Sequence, residues 1–199
     1  EDTKVFQPVS ALMFGNAQPP QDEQSPLAPN NPYACAKAGA YLLCQYYRRE
    51  YGLKVYCGIM YNHDSPRRGP NYLLQKICKQ VQEVKYGSRK TLDLYNIDDR
   101  VDIGYAKEYM QGVFNMLQVA GPDNYVMGSG KARSIRTCIN TALEFLGYKN
   151  TNPVEEFINR DQSSVSSVDS TYLEANNKKS KNAFGWDPMY RAENVVRLI

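Results

Sequence analysis

Histidine is almost missing from this chain. His63 is the only one, which argues against a His-based metal site or a Ser-His-Asp relay. Cysteine is present but unpatterned. Cys35, Cys44, Cys57, Cys78 and Cys138 are odd in number, and no two stand at C-x-x-C spacing. That argues against a zinc ribbon or a disulfide framework, and for reduced thiols in the cytoplasm or an organelle (mitochondrion or chloroplast) rather than a secreted protein. No apolar run approaches the ~18 residues of a membrane-spanning helix. Bulk charge is missing too. The net charge is +3 over 199 residues, and the basic residues are scattered apart from Lys178, Lys179 and Lys181, which read as a solvated helix face. Nucleic acid is therefore not expected as a partner. Also absent is any Gly-x-x-Gly-x-x-Gly turn, the loop that lays a dinucleotide's pyrophosphate on a helix N-terminus. Gly128-Ser129-Gly130-Lys131 lacks the third glycine and reads as a turn before a helix.

What is there is an ordinary folding composition. Hydrophobic residues make up 42% and charged residues 23%, enough apolar surface for a sizeable core. Residues 4–10 read as a strand. Residues 15–32, with five prolines, read as a loop. Asn31-Pro32 opens a helix over 33–51 that Gly52 closes, and residues 54–61 alternate into a strand. A helix between two strands at short spacing is a β-α-β crossover. Further helices are expected over 72–85, 104–119, 134–146, 176–184 and 190–199, with short strands at 91–95 and 125–127. Residues 62–71 and the serine-rich 159–171 read as loops.

Tyr33 and Lys37 stand four apart and so share one face of the 33–51 helix. An ammonium beside a phenol favours the phenolate, which suits acid/base work on a hydroxyl. A serine at Ser10, at the end of the preceding strand, can bind the same oxygen. Downstream runs Asn62-His63-Asp64-Ser65-Pro66-Arg67-Arg68-Gly69.

Taken together, these motifs resemble the GDP-mannose 4,6-dehydratases, extended short-chain dehydrogenase/reductases of the NAD-dependent epimerase/dehydratase superfamily. The matching segments include Val9-Ser10 with Met13-Phe14-Gly15, Pro32-Tyr33 with Ala36-Lys37, Tyr61 through Gly69, Asp102 with Gly104, Ser134-Ile135-Arg136, and Phe184 through Pro188. They run nearly end to end, but correspond to the second half of such a protein. The resemblance implies an α/β fold: the C-terminal part of a Rossmann-type NAD(P)-binding fold with a smaller α/β substrate-binding region. Residues 1–62 would belong to the first, residues 63–199 mainly to the second, and residues 96–119 would return to the Rossmann-type part.

The resemblance also implies roles. Tyr33 is the base at C4 of the hexose, Lys37 its electrostatic partner and ribose anchor, and Ser10 the hydroxyl donor. Asn62 contacts the substrate's diphosphate region. Arg67 and Arg68, with Tyr33 and Lys37, are the cofactor-binding set. The implied cofactor is NADP, which this chain alone is not expected to hold. The implied substrate is a GDP-sugar.

Four positions depart from that pattern. Leu12 stands where the family's C5 base is expected, and Val101 and Gln75 where arginines are. The Arg-Pro motif falls on Ser166-Ser167. Glu23 and Asp22 lie in the next loop and are not assumed to substitute. Two readings stay open. One is a degenerate dehydratase fold acting as a structural or accessory subunit of a larger complex. The other is an active dehydratase, epimerase or reductase once completed by the other half. Partner chains are expected either way.

Overall fold

The computed structural model describes residues 2–94, 96–118, 121–148, 154–158 and 172–199. Its centre is a parallel sheet of three strands. They are β1 (Val5–Ser10), β2 (Val55–Met60) and β6 (Asn124–Met127), in the order β1-β2-β6. Between β6 and β2 in the chain come β3 (Asn62–Asp64), β4 (Arg100–Val101) and β5 (Ile103–Tyr105), which form smaller pairings. Register is in step: Val5 lies beside Val55, Ser10 beside Met60, and Met60 beside Met127.

Helix α1 (Pro32–Tyr51) is the crossover from β1 to β2. The Asn31 side chain accepts the Ala34 N–H, Pro32 fills the first position, and Gly52 ends the helix at φ 63°. Its inward face is Ala34, Ala38, Tyr41 and Cys44; the small residues let it lie close on the sheet. Strand alternation then divides the core. Val55, Cys57 and Ile59 of β2, with Val9 and Val126, face α1. Tyr56, Met60, Tyr125 and Met127 face the other way, toward α3 (Ala106–Gln118) and Trp186. Both faces of β2 are covered, so the whole strand is buried.

A second core lies to one side. It is built by α2 (Leu73–Lys85), α4 (Ile135–Phe145), α5 (Val154–Phe157) and α7 (Ala192–Val196). The parallel pair β3–β5 and the antiparallel pair of β4 with β7 (Arg133–Ser134) join this core to the main sheet. The short helix α6 (Lys178–Phe184) leads to Trp186, whose indole N–H donates to the Gly128 carbonyl at 3.0 Å.

Several expectations shift. Residues 62–64 form β3 rather than loop, because β5 supplies a partner for them; the helix expected from 104 therefore starts at Ala106. Of residues 91–95 only Leu92 pairs, in an isolated bridge to Ile158, and Tyr95 lies outside the described residues. Residues 124–127, expected with the smaller region, join the main sheet through β2. The expected helices at 176–184 and 190–199 are shorter; Asn177 instead brackets Gly128, donating to its carbonyl and accepting its N–H. On α3, Phe114 is exposed, while Tyr109, Gly112 and Met116 are buried and Val113 and Leu117 pack partly buried against the same core. Lys179 and Lys181 are paired with Asp123 and Asp187. The loop expected at 159–171 lies outside the described residues.

Gly112 is the contact point between α3 and Trp186. A Cβ there meets the indole ring at 2.5 Å and the Met127 methyl at 2.6 Å. Gly112→Ala gains about 1 kcal/mol of helix propensity, but overpacking against a rigid ring costs about 1–3 kcal/mol. The net expectation is a lower midpoint in urea unfolding; an unchanged or higher midpoint contradicts this packing.

Candidate functional site

The C-terminal end of β1 and the start of α1 meet over a cleft of about 530 Å³. Ser10, Tyr33, Lys37, Asn62 and Arg68 all line it, with His63 and Asp64 beside them. Each arrives for a local reason. Ser10 ends β1, and its Oγ accepts the Leu12 N–H at 3.2 Å, opening a 3-10 turn over Ala11–Phe14. Tyr33 and Lys37 share the first turns of α1, with Lys37 Nζ 5.7 Å from the Tyr33 ring centre. Lys37 Nζ also donates to the Pro8 carbonyl at 3.0 Å, at the free edge of β1. Asn62 follows β2 directly. Arg68 lies over the Tyr72 ring, its guanidinium carbon 3.6 Å from the ring centre. Arg67, on the same turn, is exposed and does not line the cleft.

His63 and Asp64 drew no separate role from the sequence. His63 stacks on Tyr109 at 4.5 Å, and its Nδ1 lies 2.9 Å from the Tyr61 carbonyl. Burial holds its imidazole below its ordinary value, which favours the neutral ring. Asp64 accepts the Ser65 N–H at 2.7 Å, and burial pushes its carboxyl up. Burial also pushes the Cys57, Cys78 and Cys138 thiols up to about 12, which leaves them poor nucleophiles.

Beneath the cleft sits Asp102, 2% exposed. Its carboxylate accepts N–H bonds from Ser129 at 2.7 Å, Gly130 at 3.1 Å and Ala175 at 3.0 Å. Burial raises its carboxyl pKa, and these donors work against that rise by favouring the charged form. The neighbouring network is equally closed. Gln21 donates to Ala17 and Tyr172 and accepts from Tyr61 and Glu174. This hub was not legible beforehand, since apart from Ala17 its partners are 27 to 153 residues apart in sequence.

The geometry bears on the four departures. Leu12 follows Ser10 in the 3-10 turn. Gln75 donates to the Ser65 carbonyl at 2.9 Å and so braces the 62–69 turn. Glu23 accepts the Val126 N–H at 2.7 Å, and Asp22 accepts from Gln24 and Ser25, so both acids are engaged away from Ser10. Ser166-Ser167 lies outside the described residues. A dinucleotide fits only in part. Tyr33 and Lys37 offer a surface for a ribose, but the N–H groups of Ser129 and Gly130 are spent on Asp102, so that turn supplies no pyrophosphate cradle. No cluster of metal-binding side chains occurs among the described residues. Nor is any described helix long and apolar enough to cross a membrane.

Two substitutions test these assignments. Asp102→Asn sets an amide against backbone donors and is expected to cost about 2–4 kcal/mol in urea unfolding; a loss below about 0.5 kcal/mol is what an incidental surface residue gives. Burial raises the Glu23 carboxyl above its ordinary 4.5, so the folded chain binds this proton more tightly than the unfolded one. Its favourable contribution is full below 4.5 and is lost as pH rises through the folded value. Glu23→Gln keeps the acceptor without the charge. The variant should gain on the parent at pH 7, with the difference shrinking on acidification; the opposite trend excludes burial as the dominant cause.

The profile of the family described as GDP-mannose 4,6 dehydratase matches residues 1–199. GDP-mannose 4,6 dehydratase 2 of Arabidopsis thaliana is 32% identical over 196 residues, which is 98% of this chain and 52% of that protein. The GDP-mannose 4,6 dehydratase of Homo sapiens is 29% identical over 208 residues, 98% of this chain and 56% of that protein. The chain thus spans about half the length of the curated relatives it matches. Among solved structures, RMD of Pseudomonas aeruginosa complexed with NADPH superposes with a TM-score of 0.86 at 20% identity, over 99% of this chain and 65% of that one. The dTDP-glucose 4,6-dehydratase of Bacillus anthracis, in complex with NAD, gives 0.81 at 22%, over 98% and 59%. These neighbours establish the fold as Rossmann-type α/β. With the parallel sheet, the Tyr33–Lys37 helix and the 62–69 turn in place, the chain belongs to the GDP-mannose 4,6-dehydratase family.

Proposed function

We propose that this chain binds a nucleotide-linked sugar in the Ser10–Tyr33–Lys37 cleft but has lost the 4,6-dehydration step, and that it serves as a structural or accessory subunit of a larger complex. The observation that carries this reading is Leu12. Dehydration needs a base to take the C5 proton, and the resemblance puts that base at the Leu12 position. Losing a general base costs about 10²–10⁴-fold in rate. Glu23 and Asp22, the acids of the loop that follows, are held in other bonds.

The surface supports the second half of the proposal. β1 ends the described sheet, with β2 on one side only. Its edge is partly blunted by Pro8, whose carbonyl takes the Lys37 and Gln7 side chains. On α1, Leu42, Leu43, Tyr46, Tyr47 and Tyr51 are all exposed, and the three tyrosines pack on one another. A contiguous apolar face beside an open strand edge fits a covered interface, which further chain of the same protein or a partner chain supplies equally well.

A second reading rests on the cleft itself. Ser10, Tyr33 and Lys37 suffice for proton transfer to or from a hydroxyl, so an NADP-dependent epimerase or reductase is the alternative when a cofactor-binding half completes the site.

Incubation with NADP and GDP-mannose should give no 4-keto-6-deoxy product, and Leu12→Glu alone should not restore it. Product at rates typical of a working enzyme overturns the proposal. In native mass spectrometry the chain should appear with other protein chains; a monodisperse monomer with a cooperative melt counts against the subunit role.

A further inference from the structure

Arg68 reaches the cleft from the 62–69 turn, and two residues beyond that turn fix its position. Tyr72 is the N-cap of α2, a place where a short polar side chain normally bonds the helix N–H groups. Its side chain makes no such bond. Its ring instead lies 3.6 Å from the Arg68 guanidinium carbon. Gln75, in the first turn of α2, donates to the Ser65 carbonyl at 2.9 Å. The same carbonyl accepts the Arg68 N–H at 2.9 Å. One acceptor thus ties the Arg68 backbone to α2, while the tyrosine ring holds the head group. Arg67, one residue earlier, has no ring contact among the described residues and stays outside the cleft.

The Arg68 guanidinium is held without being used. It carries five N–H donors, and among the described residues it forms no ion pair and gives none of those donors to an acceptor. Arg48, Arg89, Arg133 and Arg136 differ, each bonding a carbonyl or a carboxylate. A ring contact takes up the face of a guanidinium and leaves its N–H edge open. The charge also reaches into the cleft. Burial is the main cause of the lowered His63 imidazole, and Arg68 adds to it. Lys37 lines the same cleft, where Asp64 is the one acid among the lining residues. Asp64 already accepts the Ser65 N–H. Two cations facing one carboxyl favour an anion.

A long side chain that must be ordered by its ligand costs the complex affinity. A ring that orders it beforehand removes part of that cost. We propose that Tyr72 and Gln75 are positioning residues, which preset Arg68 to take a phosphate of the ligand in this cleft. That phosphate belongs to a nucleotide-linked sugar or to a dinucleotide. The inference rests on the reading that the cleft binds a nucleotide-linked ligand.

Calorimetric titration of the full chain at low salt, with GDP-mannose in one arm and NADP in the other, tests this. Tyr72→Leu is expected to weaken binding about fivefold, the scale of a cation–π contact at an exposed site. Tyr72→Phe keeps the ring and should stay within about twofold of the parent. Gln75→Met, similar in length but without the amide, should cost about threefold, the scale of one hydrogen bond. In an Arg68→Met background Tyr72→Leu should have no further effect, which a role in folding alone does not predict. Tyr72 is 51% exposed, so its variants are expected to fold. The arm that responds identifies the source of the phosphate. Parent-like binding by both Tyr72→Leu and Gln75→Met overturns the inference and leaves nucleotide binding standing. So does a loss with Tyr72→Phe as large as with Tyr72→Leu, or a loss that persists without Arg68. Binding of neither ligand by the parent overturns the underlying reading and this inference with it.

Discussion

The fold around the cleft depends on one buried carboxylate. Asp102 receives three backbone N–H groups from two separate segments, 129–130 and Ala175. An ionised group taken out of water is costly unless donors replace the lost hydration, and backbone N–H groups do so in fixed directions. The bonds therefore place those segments as well as satisfying the acid. Gly128 is gripped from the other side by Asn177 and Trp186. The stretch after 172 is pinned to Gln21 through Glu174 and Asn176. The loop after β1, the end of β6 and the segment near residue 175 are thus locked into one floor, over which Ser10, Tyr33 and Asn62 are presented.

That floor does not depend on the side chains at positions 12 and 101. None of the bonds that set it passes through the side chain at position 12 or 101. Ser10 Oγ bonds the Leu12 backbone N–H, which any residue there supplies. Val101 pairs with Leu173 and Arg133 through main chain. Side chains at these two positions can change from charged to apolar while strand register and the hub persist. The backbone that positions Ser10 and the side chains at 12 and 101 are therefore separable in this architecture.

Much of the framework was legible because it is local. The α1 boundaries follow from Asn31, Pro32 and Gly52, and the Tyr33–Lys37 pairing from helical spacing alone. Ser134 caps α4 through the Thr137 N–H, as its position implied. Elements whose existence depends on a distant partner were read poorly. β3 forms because β5 lies beside it, and Leu92 pairs with Ile158 where a strand over 91–95 was expected. On α3 the expected Tyr109, Val113 and Leu117 do pack inward, but Phe114 is exposed and Gly112 is buried, because Trp186 lies where a side chain at 112 would be.

By itself, then, the sequence determined the family, the α/β class, the Tyr33–Lys37 face and the absence of an acid at Leu12, since each is a matter of residue identity or short-range spacing. The tertiary structure alone decided that Ser10, Lys37, Asn62 and Arg68 share one cleft, that Arg67 stays outside it, and that Leu12, Val101 and Leu173 come together at one small chamber. Those groupings arise from parallel strand register and from hydrogen bonds spanning up to 153 residues, and no local pattern in the chain encodes them.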